Sequence, residues 1–370
     1  MSRIDELIQA MCPEGVEYAK IGVLAQVGTG SSDRKDAIYG GNYPFYVRSK
    51  DVMRIDSYEF DEEALIIPGE GGIGEIFHYV NGKYALHQRA YRIHFTDPRV
   101  HPRFAYFYFL TYFKRFIVQK AVSATVTSIR KPMITDFPFP VPPLEVQREI
   151  VRVLDKFTQL EAELEAELES RRAQHEHYRH AALTFGSNVA ITKLGDLAKN
   201  LDSRRKPVTR DARVPGEIPY YGASGIVDYV SEHIFDGDYL LVSEDGANLL
   251  ARSTPIAFSV SGKTWVNNHA HVLEFTTYAE RRFVEFYLNS IDLAPYISGA
   301  AQPKLNKANL NKIPIPNPSM TVKEQIVEVL DKFDALVNDI SIGLPAELDA
   351  RRKQYEHYRD RLLTFKELAS

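Results

Sequence analysis

Apolar residues recur at alternating steps of four and three along two segments of the chain. They occupy Val146, Ile150, Val153, Phe157, Leu160 and Leu164 in the first segment, and Val322, Ile326, Val329, Phe333, Leu336 and Ile340 in the second. This is the spacing of the a and d positions of a coiled coil. The pattern predicts two long helices, over 144–185 and 319–370, that pack on each other. Amphipathic helices that each pack on their own globular segment would show a similar spacing.

The segments before and between these helices have the patterns of β-strands. Their β-branched, aromatic or alternating runs are Ala64–Pro68, Ala85–Phe95, Tyr239–Ser243 and Val266–Phe275, with Gly and Asn turns between them. Asn81-Gly82, between two alternating runs, predicts a hairpin turn. Arg103–Val118 and Arg281–Leu293 favour helices with an aromatic face. We therefore predict two mainly β domains, over 1–143 and 186–318.

The chain contains an internal duplication. RRAQHEHYRHAALTF at Arg171–Phe185 recurs as RRKQYEHYRDRLLTF at Arg351–Phe365, with ten of fifteen positions identical, where average residue usage gives about one match by chance. IVRVLDKF at Ile150–Phe157 recurs as IVEVLDKF at Ile326–Phe333. The two offsets are 180 and 176 residues, so the second copy has four extra residues between its blocks. Such an insertion predicts a stutter in the coiled coil.

Shorter matches extend the duplication into the β domains. The matched segments are YPFY and IPYY (Tyr43–Tyr46, Ile218–Tyr221), LIIPGEG and LLVSEDG (Leu65–Gly71, Leu240–Gly246), and RFAYFY and RFVEFY (Arg103–Tyr108, Arg282–Tyr287). The predicted fold class is α+β, in which two mainly β domains alternate with two long helices and an internal pseudo-two-fold relates the halves. Because the helices are alike and the domains differ, we infer a common frame that carries two different binding domains.

Composition excludes several classes of protein. Hydrophobic residues make up 44% of the chain and charged residues 25%, which excludes a disordered or collagen-like protein. The longest apolar stretch, Phe104–Phe113, has ten residues, whereas a membrane crossing needs about 20. No basic leader with an apolar core is present, and the single cysteine, Cys12, excludes a disulfide framework or a Cys-based zinc site. We therefore expect a cytoplasmic protein that does not interact with a membrane.

The net charge of −4 is distributed unevenly along the chain. Residues 144–185 contain nine acids and six bases, and residues 319–370 contain ten and eight. The β domains are balanced, with 16 acids and 17 bases over 1–143 and 14 of each over 186–318. A DNA-binding protein that acts alone would show a basic face. If DNA is the ligand, we expect a partner to supply part of the phosphate neutralisation.

Several short motifs suggest chemistry, but their surroundings argue against it. Gly69–Gly74 matches GxGxxG, but a dinucleotide site needs a helix next, and here alternating residues follow. Gly262-Lys263-Thr264 lacks the first glycine of a phosphate-binding loop, and the histidines of Arg171–Phe185 lack further ligands at metal-site spacing. No Asn/Asp-Pro-Pro-Tyr/Phe motif for amino-group methylation occurs. We predict no catalytic residue, metal site or cofactor in this chain.

Three groups of residues carry a resemblance to a known family. They are DFPFPVPPLEVQREIVRVLDKF at Asp136–Phe157, ELDARRKQYEHYRDRLLTF at Glu347–Phe365, and GGNYPFYVRSKDV with LIIPGEGGIG at Gly40–Val52 and Leu65–Gly74. Together with the duplicated order of segments they cover most of the chain, which resembles the specificity (S) subunits of type I restriction-modification enzymes. The second domain, Val189–Asn317, matches that family less closely.

The resemblance implies a role for each segment. Residues 1–143 and 186–318 would be target recognition domains, each binding one half of a split, asymmetric site in double-stranded DNA. Residues 144–185 and 319–370 would be conserved helices that pair as an antiparallel coiled coil and dock two methyltransferase (modification) subunits. Those partners would bind S-adenosylmethionine and methylate adenine, and separate restriction subunits, where present, would cleave DNA. This chain would itself be non-catalytic and bind no cofactor.

DNA contacts are expected in loops rich in Arg, Lys, Asn, Gln, Ser and Thr, whose side chains reach phosphates and base edges. In the first domain we predict Ser31, Arg34, Lys35, Arg48, Lys50, Gln88, Arg89, Thr127 and Arg130. In the second domain we predict Arg204, Arg205, Lys206, Ser224, Asn267, Asn268, Lys304 and Asn306. At each of these positions the alternative is a solvated surface residue without a ligand.

Two other functions stay open on the sequence alone. A structural adaptor would keep the coiled coil without binding DNA, and failure to bind DNA with modification subunits present would favour it. An enzyme would require either that Gly69–Gly74 binds a nucleotide or that the chain contains a nuclease centre without a recognisable motif, and intrinsic cofactor binding by the purified chain would favour that function.

Overall fold

The computed structural model describes residues 3–120, 128–245, 248–299 and 302–368. They form two compact units. The first contains the chain up to Glu165 and again from Leu348 onward, and the second contains Ala166–Glu347. Each unit therefore combines one β domain with parts of the helical segments. The predicted division of the chain into four segments stays a prediction.

The β domain of the first unit is built on a six-stranded sheet. Its elements are α1 (Arg3–Met11), β1 (Tyr18–Lys20), α2 (Ile21–Leu24), β2 (Ala25–Thr29), β3 (Tyr43–Tyr46), β4 (Met53–Ile55), β5 (Phe60–Pro68), β6 (His78–Leu86), β7 (Ala90–Phe95), α3 (Pro102–Lys120), α4 (Lys131–Thr135) and β8 (Pro138–Pro140). The strand order is β2-β7-β5-β6-β3-β4. Only β3 and β6 pair in parallel in this sheet of described residues, with Tyr46 opposite Leu86. β1 and β8 pair separately, where the chain enters and leaves the domain.

The second unit repeats this topology strand for strand. After the long helix α5 (Leu144–Leu183), its elements are β9 (Ile191–Lys193), α6 (Leu194–Leu197), β10 (Lys199–Asn200), β11 (Pro215–Gly222), β12 (Gly225–Val230), β13 (Phe235–Ser243), α7 (Asn248–Ala251), β14 (Ala257–Val266), β15 (Ala270–Glu274), α8 (Tyr278–Ser290), α9 (Lys307–Asn311), β16 (Pro314–Pro316) and α10 (Met320–Asn338). The strand order is β10-β15-β13-β14-β11-β12, and the equivalent parallel pair places Tyr221 opposite Val266. α11 (Leu344–Leu362) follows and lies mostly in the first unit. The predicted duplication and α+β fold are confirmed.

The sheet of the first domain must be strongly coiled. At one end of β5, Phe60 pairs with Tyr84, so Leu86 at the end of β6 lies just beyond this end of β5. At the other end of β5, Pro68 pairs with Ala90, the first residue of β7. A strand from Phe60 to Pro68 is about 26 Å long, but the four steps from Leu86 to Ala90 span at most about 14 Å. The coiling encloses a small cluster of buried residues that includes Tyr46, Tyr84 and Leu86.

Asn81-Gly82 does not form the predicted hairpin turn. It lies inside β6, where Gly82 has a φ of +112° and is opposite Glu62 of β5. The alternating runs on its two sides belong to the same strand, so that prediction is wrong. In the second domain Gly262-Lys263-Thr264 likewise lies inside β14, with Gly262 opposite Gly237.

The helix with an aromatic face that was predicted for Arg103–Val118 is α3, and its aromatic side chains pack in the core of the first unit. Phe104, Phe109 and Phe113 are fully buried, and Phe109 and Phe113 make edge contacts with Phe137, which lies just before β8. Such aromatic pairs stabilise a fold beyond the area that they bury. In the second unit α8 places Phe283 and Val284 in the equivalent core.

Helix pairing in the first unit is antiparallel, as predicted. Phe157 of α5 stacks on Tyr358 of α11, with ring centroids 5.5 Å apart. One turn later along α5, Glu161 accepts a hydrogen bond of 2.7 Å from Arg352, which lies earlier in α11. In the second unit α5 packs on α10, where Tyr178 stacks on Phe333.

The second helical segment is two helices, and the predicted stutter is wrong. α10 ends at Asn338 and α11 begins at Leu344, so the four extra residues of the second copy coincide with a break. Asp339 accepts hydrogen bonds from the backbone N–H groups of Ser341 and Ile342 in the intervening turn. A Cβ at Gly343 would lie 2.5 Å from the carbonyl oxygen of Ala335, so this tight turn requires glycine.

α10 buries a different face from the predicted one. Three predicted a and d residues of α10 are exposed, at 37%, 48% and 37%: Val322, Val329 and Leu336. Ile340, which follows the helix, is 85% exposed. The buried residues are Lys323, Val327, Leu330 and Val337. The reason is that α10 packs on α8 of its own unit, with the Lys323 ammonium 2.7 Å from Glu280. α10 therefore packs both on its own globular segment, through α8, and on α5, through Phe333. Its remaining face leaves an exposed apolar stripe, formed by Val322, Val329 and Leu336.

Candidate nucleic-acid interface

Three segments of the first domain meet residues 87–89. The backbone N–H of His87 donates to the carbonyl oxygen of Tyr46 at the end of β3, and that of Gln88 donates to the carbonyl oxygen of Ser32 after β2. The N–H of Gly69, after β5, donates to Arg89. We call Ser31–Asp36, Val47–Lys50, Gly69–Gly74 and His87–Arg89 the first loop cluster. A cavity of about 190 Å³ lies within it, lined by Arg34, Val47, Arg48, Ser49, Glu70, Gly71 and His87.

The first loop cluster brings together most of the predicted DNA contacts of its domain. They are Ser31, Arg34, Lys35, Arg48, Lys50, Gln88 and Arg89, all exposed. Arg130 is also exposed, and it follows Ile129, whose N–H donates to Gly69 at 2.7 Å. Thr127 lies outside the described residues. These positions can form one surface, and their contact with DNA stays a prediction.

Acidic side chains bind several donors of this cluster. The carboxylate of Glu70 lies 2.8 Å from the Arg48 guanidinium and 3.2 Å from that of Arg89. Hydrogen bonds from Arg89 and then Arg48 lower the pKa of Glu70, so it is charged at neutral pH. The Gln88 amide donates to Asp33 at 3.0 Å. The donors are therefore oriented before any ligand arrives.

The second domain has an equivalent arrangement, built by the same strands. The N–H of Asn267 donates to Tyr221 as that of His87 does to Tyr46, and the N–H of Glu244 donates to His269. We call Leu201–Lys206, Ala223–Ser224, Glu244–Asp245, Asn267–His269 and Lys304–Asn306 the second loop cluster. It contains the second domain's predicted DNA contacts, of which Arg204, Lys206, Ser224, Asn268 and Lys304 are exposed.

Three predicted contacts of the second domain are not exposed and have structural partners. Arg205 is 13% exposed and lies 2.6 Å from Glu244, while its guanidinium also donates to the carbonyl of Ala270 at 2.8 Å. Asn267 is buried and accepts a hydrogen bond from the N–H of His269. Asn306 caps α9 by accepting from the N–H of Asn309. Their placement accounts for these side chains without a ligand.

Asp202, Glu244 and His271 have ligand atoms within 4.8 Å of one another, which makes them the metal candidate among the described residues. Burial raises the pKa of Glu244, but hydrogen bonds from Arg205 and Lys304 lower it, and together the lowering effects are larger, so the pKa of Glu244 is below its usual value. His271 Nδ1 lies 2.6 Å from Asp202. The two carboxylates thus face three basic side chains, those of Arg205, Lys304 and His271, so we assign the group to an internal ion-pair network of the domain.

The glycine-rich segment Gly69–Gly74 does not precede a helix. It connects β5 to β6, and Gly71, Gly72 and Gly74 have positive φ angles of 70°, 57° and 65°. A Cβ at Gly74 would lie 3.0 Å from the Cα of Lys114 in α3. The glycines therefore serve a tight turn against α3, and the helix N-terminus that a dinucleotide site needs is not formed by this segment.

A family model for the type I restriction modification DNA specificity domain matches residues 13–170 and again 186–350. The two matches cover most of the chain and repeat in the same order as the two β domains. The chain belongs to this family. The matches confirm the resemblance to specificity subunits and the presence of two target recognition domains.

Relatives and solved structures are consistent with this assignment. A putative type I restriction enzyme specificity subunit of Haemophilus influenzae is 40% identical over 50% of this chain and 49% of its own length. The Escherichia coli type I restriction enzyme EcoR124I/EcoR124II specificity subunit is 31% identical over 60% of each chain. The chain thus spans about half to three fifths of these relatives. The crystal structure of an S subunit from M. genitalium has the same fold, with a TM-score of 0.66 at 16% identity over 94% of this chain and 96% of that one.

The described part of this specificity-family chain contains no helix that is long and apolar enough to span a membrane.

Sequence analysis missed the acidic residues of both loop clusters. Glu70 binds Arg48 and Arg89 in the first target recognition domain, and Asp245 lies 2.9 Å from His269 Nδ1 in the second. The match of LIIPGEG with LLVSEDG aligns Glu70 with Asp245, so a signal was present. Acidic residues are absent from the predicted contacts because those contacts are side chains that donate hydrogen bonds to DNA.

Proposed function

We propose that this chain selects the DNA site of a type I restriction-modification complex. Each target recognition domain would bind one half of a bipartite, asymmetric site in double-stranded DNA. The observation that carries the proposal is the duplicated loop cluster, in which equivalent strands present different side chains. Arg48, Gln88 and Arg89 project from the first cluster, whereas Ser224, Asn268 and His269 project from the second. Arg suits guanine and Asn or Gln suits adenine, so two different half-sites are expected.

Partners are needed for the chemistry and for part of the DNA affinity. The β domains have balanced charge, and several donors of the loop clusters are already bound by acids. The exposed apolar stripe of α10 supports docking of a modification subunit on the helices. In the first unit a cavity of about 140 Å³ among Val153, Phe157 and Leu160 offers a second apolar surface on α5. We propose that two modification subunits dock there, bring S-adenosylmethionine and methylate adenine.

Restriction subunits would join the same complex to cleave DNA. The cytoplasm is the proposed location, which is consistent with a free Cys12 thiol.

The proposal is tested by co-expression with the modification subunits of the same system, followed by mapping of methylated adenines by sequencing. We expect one bipartite sequence to be methylated, and no methyl transfer or cleavage by the purified chain alone. Methyl transfer by a preparation free of other subunits would contradict the non-catalytic role. A complex that assembles but shifts no DNA would favour the structural adaptor.

Arg204 and Arg205 provide a matched test, because the two variants change the charge equally. Arg204 is exposed and lies over the Phe235 ring at 4.8 Å, so Arg204→Ala should weaken DNA binding by the complex and reduce its salt slope by about 1. Arg205→Ala should instead destabilise the second unit by about 2 kcal/mol, because Glu244 then keeps only Lys304 as a basic partner and the carbonyl of Ala270 loses its donor. Salt titrations of DNA binding and urea unfolding measure the two effects. An unchanged salt slope for Arg204→Ala would remove it from the interface.

A further inference from the structure

Glu70 lies at the centre of the first loop cluster, between two side chains predicted to contact DNA. One oxygen of its carboxylate accepts from both Arg48, at 2.8 Å, and Arg89, at 3.2 Å. The backbone beneath is fixed, since the Arg89 N–H donates to Nδ1 of the buried His87. Glu70 is therefore positioned against the two guanidinium groups in the absence of DNA.

The second domain repeats this arrangement with different residues. Asp245, aligned with Glu70, lies 2.9 and 3.0 Å from the ring of His269. His269 follows β14 as Arg89 follows β6. An acid from one loop thus binds a basic side chain from the next loop in both copies, although neither the acid nor the base is the same residue.

Stability does not explain the repeated pair. The Glu70, Arg48 and Arg89 side chains are 40%, 42% and 58% exposed, and exposed ion pairs contribute little to the free energy of folding. A carboxylate beside DNA also repels phosphate. It does not repel base edges in this way, because cytosine N4 donates a hydrogen bond to carboxylates. An arginine that the carboxylate orients can also bind guanine with two hydrogen bonds. The pair therefore discriminates between phosphate and base contacts.

We propose that Glu70 and Asp245 are specificity-determining residues, one for each half-site. Each carboxylate orients basic side chains toward base edges and opposes their use in sequence-independent phosphate binding. This inference rests on the proposed function. It also provides a reason for the balanced charge of the two domains, since low affinity for random DNA favours selection of the correct site.

The test uses the complex assembled with modification subunits and compares Glu70→Gln with Glu17→Gln. Both variants remove one negative charge from the same unit. Glu17 pairs with Arg99 at 2.9 Å, and the two side chains are 55% and 52% exposed. Arg99 follows the end of β7, whereas His87–Arg89 of the first loop cluster precedes the start of β7. For the second domain, Asp245→Asn is compared with Glu274→Gln. Glu274 is the last residue of β15 and pairs with Lys199, whereas His269 precedes that strand.

Affinities for cognate and non-cognate duplexes of equal length are measured by fluorescence anisotropy at several salt concentrations. Glu70→Gln should raise non-cognate affinity, steepen its salt slope by about 1, and lower the ratio of cognate to non-cognate affinity by about tenfold. Glu17→Gln should leave that ratio within about twofold. Methylation mapping should show that Glu70→Gln relaxes the sequence specificity of the first half-site only. Asp245→Asn should relax the sequence specificity of the second half-site only.

Glu70→Asp provides a rescue variant, because the second domain uses aspartate at this position, and it should restore most of the discrimination. Circular dichroism of each variant checks that the fold is kept. Equal ratios for Glu70→Gln and Glu17→Gln would overturn the inference, as would relaxation of both half-sites. If the unaltered complex itself binds cognate and non-cognate DNA equally, the proposed function fails instead.

Discussion

One further LEAE unit in α5 is expected to widen the gap between the two half-sites by one or two base pairs. Leu160–Glu167 already contains this unit twice, and Leu, Glu and Ala are strong helix formers, so the helix should continue. Four residues add about 6 Å and rotate the helix about 40° beyond a full turn. One base pair adds about 3.4 Å and turns the duplex by about 35°. If α5 follows the DNA axis, the added rotation of the helix equals the twist of about one base pair, and its added length equals the rise of just under two base pairs.

The insertion lies between the helix contacts of the first unit and those of the second, and α11, through which the chain returns to the first unit at Leu348, gains no residues. By sequence it is equivalent to four residues added between Glu165 and Ala166, where the chain passes from the first unit to the second. Arg352 binds Glu161 and Glu165 on one side of that point, and the contact of Tyr178 with Phe333 lies on the other. Neither loop cluster is altered, so both half-site sequences should be unchanged.

Mapping of methylated adenines for the insertion variant measures the gap. A Gly-Ser-Gly-Ser insertion at the same point is the control, since glycine interrupts a helix and should give no single new gap. An active complex that methylates the original spacing would show that α5 does not set the distance. Altered half-sites at the new gap would contradict independent recognition.

Exchange of the whole second target recognition domain is expected to change one half-site completely and leave the other unaltered. The structure defines the boundaries of the exchange. β9 pairs with β16, and the N–H of Asn317 donates to Ala190 at 2.7 Å. Residues 190–317 therefore form a segment whose two ends bind each other, and the matching segment of a related subunit can replace them as a unit.

Methylation mapping of the exchanged complex tests this prediction. An exchange of residues 189–313 is the matched control, because it takes β9 from one protein and leaves β16 from the other. It should fold less stably and methylate less, with the same altered half-site where activity persists. New sequence at both halves would show that the domains do not bind independently.

The sequence by itself determined the duplication, the order of segments and the family. Ten identities in fifteen positions and the a and d spacing of α5 are local signals, and the strand and helix assignments of 64–68 and 103–118 follow from residue patterns that neighbouring residues share. Such signals need no knowledge of distant contacts. The same is true of the candidate loops, whose composition alone selected Arg48, Gln88 and Arg89.

Tertiary structure alone decided how those parts are used. Periodicity shows which residues share a face of α10 but not which neighbour covers that face, and packing on α8 buried Lys323 while it exposed Val329. Asn81-Gly82 has the chemistry of a turn, yet pairing with β5 continues through it. Arg204 and Arg205 are adjacent in the sequence, but the ion pair with Glu244 makes only one of them internal. Glu70 reaches Arg48 and Arg89 only because the parallel pairing of β3 with β6 and the coiling of the sheet bring three loops together. Each of these outcomes depends on contacts between residues far apart in the chain, which no local pattern encodes.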